Sequence, residues 1–255
     1  MTPTSQRREQ IMQRLVEAGS VRGAELVAAL GVSAVTVRGD LDALEAQGLI
    51  TRKHGGATLV RMPPQEQSVE QKGGVNSQLK ERIGQRAAQL VQSGDNIILD
   101  SGTTTLPLAR ALRQHQDVTV MTNGLNIAWA LADAEGVTLL MTGGLLRKRS
   151  LSLQGAQSEA CMSAFNFDKL FLGVDGLDLK FGCTTHDEAE ARLNHKMVER
   201  AKRVIVLTDS SKFNRVSLHR IVTLDHVDTV ITDTGIDAEH RAGLAQLGIE
   251  VIIVE

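Results

Sequence analysis

The chain reads as an α/β protein in two parts, a small N-terminal domain of short helices and a larger domain built on a mostly parallel sheet. Three observations predict this. Helix starts and glycine stops crowd the first sixty or so residues, which end in a basic hairpin. A Pro/Gly-bearing stretch without sustained periodicity follows. Beyond it, short apolar runs alternate with helical patterns to the end of the chain, as in a sheet covered on both faces.

In the first part, Ser5 is placed to cap a helix reaching about residue 18, with Ile11, Leu15 and Ala18 at helical spacing and Gly19 at its end. Residues 24–30 form a second short helix, stopped by Gly31. Ser33 caps a third, over 34–47, with Gly48 at its stop. Val37, Leu41 and Leu44 form its inward stripe, which turns Val35, Gly39 and Asp42 outward. Residues 49–59 read as a hairpin with Gly55 and Gly56 near the turn. The order helix, helix, turn, helix, wing is that of a winged helix-turn-helix, and it assigns residues 1–60 to a DNA-binding domain. Residues 61–78 read as a linker and residues 79–255 as a second domain.

The second domain is predicted to place helices at 79–92, 104–114, 125–134, 187–201 and 238–247. Strands are expected at 96–100, 118–122, 137–142, 169–174, 203–208, 227–232 and 249–254.

Bulk properties narrow the function. The formal net charge is −2, but residues 1–61 carry eight Lys/Arg against six Asp/Glu and the rest twenty against twenty-four. That weak asymmetry fits a compact DNA contact better than a polybasic tail. Tyrosine is absent and the aromatics are Trp129 and five phenylalanines, too few for stacked single-stranded bases. Cys161 and Cys183 are the only cysteines and read as reduced thiols. The N-terminus lacks an apolar export core and no apolar run approaches a spanning length, so a cytoplasmic protein without membrane contact is expected.

Candidate DNA contacts follow from helix geometry. Ser33 and Thr36, near a helix N-terminus, carry hydroxyls for phosphate, and Val35 faces outward. Arg38 suits a phosphate or a bidentate guanine contact. Arg52, Lys53 and His54 would reach the backbone from the wing. Gly39 removes a side chain from the outward face and costs helix stability on the order of 1 kcal/mol relative to alanine.

Candidate ligand contacts lie where predicted strands end, the place where open parallel sheets bind small molecules. Asp100, Ser101, Gly102, Thr103, Thr104 and Thr105 combine hydroxyls, a glycine and a helix start, which suits an anion such as phosphate. No Gly-Lys-Ser/Thr follows, so this is not a nucleotide P-loop. Asn123 with Gly124, and Gly144 with Arg147, follow the next strands; Lys148 and Arg149 read as solvated. Asp175 can accept sugar hydroxyls and Lys212 can neutralise phosphate. No His-Glu-x-x-His spacing or Cys/His cluster is present, so no metal and no cofactor is expected. Ser101 lacks the Gly-x-Ser-x-Gly setting of a hydrolase nucleophile.

These motifs also carry a family resemblance. Ser33-x-x-Thr36-Val37-Arg38-x-Asp40-Leu41-x-x-Leu44-Glu45-x-x-Gly48, then Arg52-x-His54-Gly55-Gly56-Ala57, resembles the N-terminal signature of the DeoR family of bacterial transcriptional repressors. The likeness continues through Asp-Ser-Gly-Thr-Thr (100–104), Thr-Asn-Gly (122–124), Gly-Gly-x-x-Arg (143–147), Gly-Val-Asp-Gly (173–176) and Asp-Ser-Ser-Lys-Phe (209–213). Members often carry a polar or basic residue where this chain has Gly39. The resemblance implies a sensor domain related in fold to ribose-5-phosphate isomerase and coenzyme A transferases. It implies a phosphorylated-sugar effector bound by Ser101–Thr105, Asp175 and Lys212, with Thr185 and Glu188 as weaker contacts. The stretches at 100–105, 139–144, 190–194 and 208–215 resemble those of members tied to an amino-sugar operon, which implies an amino-sugar or tagatose phosphate inducer.

The expected partners are double-stranded operator DNA, a phosphorylated sugar and a second copy of the chain, as a dimer or tetramer spanning paired half-sites. The rival reading is an isomerase-like enzyme with an appended DNA-binding module. The related isomerase has a catalytic glutamate on the helix preceding the Lys212 strand, and ungapped counting puts Asn194 there, which cannot abstract a proton. Glu188 or Glu190 would serve only if the register slips. A third reading, a pure interaction scaffold, would show no salt-dependent duplex binding.

Overall fold

In the computed structural model, the residues described are 7, 8, 10, 11, 14, 15, 20–46, 50–53, 55–59 and 66–255. They divide into two compact units, Met1–Gln65 and Glu66–Glu255.

In the first unit, β1 (Ser20–Arg22) precedes α1 (Gly23–Leu30), α2 (Ala34–Ala46), β2 (Ile50–Lys53) and β3 (Gly56–Leu59). The sheet order is β1-β3-β2, all antiparallel. The sequence reading found the β2–β3 hairpin but not β1, whose three residues are too few to show a period. Gly31 ends α1 in the left-handed conformation, φ 64°, which glycine adopts without steric cost. Of the expected first helix, residues 7, 8, 10, 11, 14 and 15 are helical; its cap at Ser5 and stop at Gly19 lie outside the described residues. Ile11 and Leu15 join Leu26, Val37, Leu41, Leu44 and Ile50 in one apolar core.

The second unit opens with α3 (Val69–Gly74) and α4 (Ser77–Ala88). Residues 66–78, expected to be linker, therefore hold a helix and belong to this compact unit. Ser68 caps α3 through a reciprocal pair with Gln71, a local signal too short to register as periodicity.

Seven strands then form one sheet: β4 (Asn96–Leu99), β5 (Val118–Thr122), β6 (Val137–Met141), β9 (Phe167–Gly173), β12 (Ala201–Leu207), β14 (Thr229–Asp233) and β15 (Glu250–Val254). Their order is β15-β14-β12-β9-β4-β5-β6, and every pairing is parallel. Alternate residues feed two cores. Phe171, Ile205 and Leu207 pack with α4, α5 (Thr105–Leu112) and α6 (Leu125–Leu131). Leu170, Leu172, Val204 and Val206 pack on the other face with α7 (Ala156–Met162), α8 (Glu188–Glu199) and α9 (Ala238–Gln246). Both faces are covered, which is why these strands read as continuous apolar runs.

Chain direction across the sheet reverses between β4 and β9. From β4 the chain builds outward through β5 and β6, then returns to β9 on the opposite side. The crevice beyond the carboxyl ends of β4 and β9 is the topological switch point, where open α/β sheets hold ligands. Two smaller sheets complete the unit: the hairpin β7 (Leu145–Arg147) with β8 (Ser152–Gln154), and β10 (Gly176–Asp178), β11 (Gly182–Thr185) and β13 (His219–Val222). No helix among the described residues is long and apolar enough to cross a membrane.

Candidate functional site

The candidate DNA contacts of the first unit lie mostly on α2. Val37, Leu41 and Leu44 are buried, which leaves Val35 80 % exposed on the opposite side, with Arg38 and Gly39 also open to solvent. Ser33 Oγ accepts from Thr36 N at 3.1 Å and lies 2.8 Å from Thr36 Oγ1, so the two hydroxyls share one hydrogen and keep one to donate outward. Arg38 and Arg52 line one groove, together with Gly55 and Gly56 of the wing. Arg52 is not a free cation: its Nε stands 3.7 Å from Asp42 Oδ1. Lys53 is exposed, and His54 lies outside the described residues. Asp40, quoted above only as part of the motif, is buried on the inner side of α2 between Arg7 (2.5 Å) and Arg8 (2.9 Å). Burial alone would raise its carboxyl, but the two guanidiniums hold it below the usual range. It ties the N-terminal helical residues to α2.

The second site sits at the switch point. The β4–α5 turn supplies Asp100, Ser101, Gly102, Thr103 and Thr104, the β9 end supplies Gly173, Val174 and Asp175, and Thr185, Glu190 and Lys212 close the cleft with Lys72 and Lys80. Asp100 Oδ2 accepts from Gly173 N at 3.2 Å, which ties the ends of the two central strands together. Of the first three residues of α5, Thr105 and Leu106 have amides with no carbonyl within the helix to bond, and Pro107 has none to offer. Asp175 is clamped: Lys72 Nζ lies 2.6 Å from its Oδ1, Lys212 Nζ lies 4.0 Å away, and Thr185 Oγ1 donates to Oδ2 at 3.2 Å. Lys80 Nζ donates to the Lys72 carbonyl at 2.6 Å.

Electrostatics here are compressed. Burial pushes Lys80 down to about 8, with Lys212 and Lys72 adding repulsion, and burial lowers Lys212 as well. Burial pushes Asp100 well above the carboxylate range, with Glu190 adding to it, and lifts Glu190 to about 7, with Asp175 adding to it. Burial would also raise Asp175, yet Lys72 and Lys212 keep it below its ordinary value. Three crowded ammonium groups beside a helix start suit a multiply charged anion, and the carboxyl groups suit hydroxyls or an ammonium on the same ligand.

The predicted residues divide as follows. Asp100, Ser101, Gly102, Thr103, Thr104, Asp175, Thr185 and Lys212 line the cleft. Thr105 and Asn123 stand behind it: Thr105 Oγ1 donates to the Asp100 carbonyl at 2.8 Å, and Asn123 Oδ1 accepts from Ser101 N at 2.9 Å. Gly124 is there for lack of a side chain, because a Cβ would sit 3.0 Å from Ser101 Cα and 2.9 Å from Ile127 Cγ1. Gly144 lies between β6 and β7 and does not line the cleft; a Cβ there would meet Ser158 Oγ at 2.3 Å. Arg147 is turned to Glu66 and Asp187, 2.5 and 3.2 Å away, rather than into the cleft. Glu188 is the clear correction: at the start of α8 its carboxylate is 69 % exposed and pairs with Arg192. Two positions along the helix, Glu190 takes the inward place. Asn194, on the same helix, is buried with its Oδ1 unpartnered and does not line the cleft.

Lys72, Lys80 and Glu190 were not assigned from sequence. Glu190 is legible as the inward member of the 188–190 pair once Ala191 and Leu193 are taken as core. Lys72 carried no signal, lying in the stretch read as linker. Among the described residues, no group of three or more His, Cys, Asp or Glu is arranged to hold a metal ion.

Comparison with known proteins bears on both sites. The DeoR-like helix-turn-helix domain matches residues 7–62, and the DeoR C-terminal sensor domain matches residues 75–234. A protein of Escherichia coli O157:H7, named "Putative aga operon transcriptional repressor", is 52 % identical over 256 residues, covering 100 % of this chain and 95 % of that one. The glycerol-3-phosphate regulon repressor of Escherichia coli K12 is 33 % identical, covering 90 % of each. Among solved structures, ribose 5-phosphate isomerase A from Methanocaldococcus jannaschii aligns over 55 % of this chain and 56 % of that one, at 18 % identity and a TM-score of 0.42, too slight a likeness to carry an argument about chemistry. The relatives that match along the whole chain are regulators, and this chain is a regulator of transcription rather than an enzyme. Its helix-turn-helix and its sensor are both those of one family, and the chain belongs to the DeoR family.

Proposed function

We propose that the chain represses an amino-sugar catabolic operon and leaves its operator when a phosphorylated sugar binds the switch-point cleft. The observation that carries this reading is the convergence of Lys72, Lys80 and Lys212 on the Ser101–Thr104 turn, beside Asp175 and Glu190. A phosphoryl group would take the amines and the hydroxyls of the Ser101–Thr104 turn; the sugar's hydroxyls or ammonium would face the carboxyl groups. The amino-sugar assignment rests on the stretches at 139–144, 190–194 and 208–215 and on the identity to the aga operon repressor. The operator would be gripped by Ser33, Val35, Thr36, Arg38, Arg52, Lys53 and His54, in a homodimer or tetramer that presents paired readers to half-sites.

The test is a thermal-stability screen of the full-length protein against galactosamine 6-phosphate, N-acetylgalactosamine 6-phosphate, tagatose 6-phosphate and the unphosphorylated sugars. The ligand that raises the melting temperature is then added to the protein–operator complex. At one hundred times its Kd, a ligand binding only the folded state adds about 2.7 kcal/mol of stability. A phosphorylated sugar should stabilise and release DNA, and its unphosphorylated parent should do neither. Equal stabilisation by the parent sugars, or stabilisation without release, would refute the reading.

A further inference from the structure

The helix α3 is held in place in an unusual way. It spans only Val69–Gly74 and has no fully buried residue, Val69 being half-buried, so little apolar packing fixes it. Polar bonds hold this stretch instead. Lys72 reaches Asp175 at 2.6 Å, the Lys72 carbonyl accepts from Lys80, Val69 N donates to the Arg149 carbonyl at 2.9 Å, and Asn76 Nδ2 donates to Asp209 Oδ1 at 3.1 Å. Just ahead of it, Glu66 is paired with Arg147. Asp175 and Lys80 are lining residues of the cleft, as is Lys72 itself. The short helix that follows the DNA-reading unit along the chain is thus fastened to the residues proposed to meet the ligand.

We propose that Lys72 is a specificity-determining ligand with two alternative partners, Asp175 and the phosphoryl group of the bound sugar, so that binding re-pairs α3 and is felt at the connection to the reader. This rests on the effector reading above and adds to it the residue that makes occupancy discriminate between states, without which a ligand shifts nothing. The geometry favours exchange over simple addition. Asp175 Oδ1 already draws on two ammonium groups, and a phosphate dianion offers more charge and three acceptor oxygens to the same amines. Released from Lys72, Asp175 keeps Lys212 and Thr185 and can accept a hydroxyl of the sugar. A neutral sugar offers Lys72 no comparable partner, so the exchange selects for phosphorylated ligands.

The experiment uses full-length protein with galactosamine 6-phosphate and tagatose 6-phosphate as probes. Calorimetric titration compares wild type with Lys72→Met and Lys72→Arg, and hydrogen exchange follows the amides of Val69–Val75 with and without saturating probe. Loss of a hydrogen bond to a charged group predicts affinity on the order of tenfold weaker, or more, in Lys72→Met, with partial recovery in Lys72→Arg. Wild-type exchange at Val69–Val75 should change on binding. Should Lys72→Met fail to fold, Asp175→Asn provides the second measurement: with its partner neutralised, α3 should exchange faster before any probe is added. Unaltered affinity in Lys72→Met, or unaltered exchange of α3 on saturation of wild type or in Asp175→Asn, would overturn the proposal and leave the effector reading standing. Failure of every sugar phosphate to bind wild type would overturn both.

Discussion

At the residue scale, the cleft shows which parts of a site a linear sequence carries. Asp100–Thr104, Asp175 and Lys212 follow strands directly, so their place is inherited from the sheet and could be read from the end of an apolar run. Lys72 and Lys80 precede the first strand of the sheet and reach the cleft through tertiary packing, which no local pattern encodes. Glu190 differs from Glu188 only in helical phase, and the two have opposite surroundings. Phase also makes Glu190 testable. Its carboxyl titrates near 7 when folded against an ordinary 4.5, burial being the main cause. Between those values the folded protein holds the proton and the unfolded chain does not, so stability is present at low pH and is lost as pH rises through about 7. Glu190→Gln should flatten this slope and raise stability at pH 8 by on the order of 3 kcal/mol, measured by urea unfolding across pH. Asp100 shifts in the same direction, so part of the slope should survive. A Glu190→Gln profile superimposable on wild type would show that the carboxylate is solvated after all.

At the element scale, apolar runs and glycine-stopped helices were legible and short polar strands were not. Strand β5 was expected over its observed span, and β12, β14 and β15 to within two residues, because each is an apolar run covered on both faces. The hairpin β7–β8 and the sheet β10-β11-β13 escaped because their three or four residues mix polar, charged and glycine positions and form no clean apolar run. Gly39 is an element-scale anomaly: it sits mid-helix in α2, and a Cβ there would meet nothing within 4 Å. Gly39→Ala should therefore stabilise the DNA-reading unit by about 1 kcal/mol, seen as a higher denaturant midpoint. Neutral or negative change would mean that Gly39 is retained for backbone freedom in the folded unit. If the substitution also weakens operator binding, the missing side chain is what allows close approach to DNA.

At the scale of the whole molecule, two compact units divide the work. Arg38→Ala should weaken operator binding and lower the dependence of log K on log salt, since one phosphate contact contributes a slope of about 0.9. If Arg38 instead reads a base, affinity should fall by on the order of 1–3 kcal/mol with the salt slope unchanged. Fluorescence anisotropy with operator and scrambled duplexes from low to high salt separates the two. Sugar-phosphate affinity measured on the same protein should stay at the wild-type value; a parallel loss there would contradict independent units.

The strand order has a consequence for how the sensor is made. Strands β4, β5 and β6 leave the ribosome first and occupy one half of the sheet, while β9, β12, β14 and β15 are laid outward in chain order on the other half. Until β9 emerges, β4 presents a bare row of amides and carbonyls to any passing segment. The cleft itself does not exist before that docking, because its two central walls are the ends of β4 and β9. A nascent sensor is thus blind until Lys212 has emerged, and it is most exposed to mispairing before β9 docks, which is where a folding chaperone would be of greatest use to it.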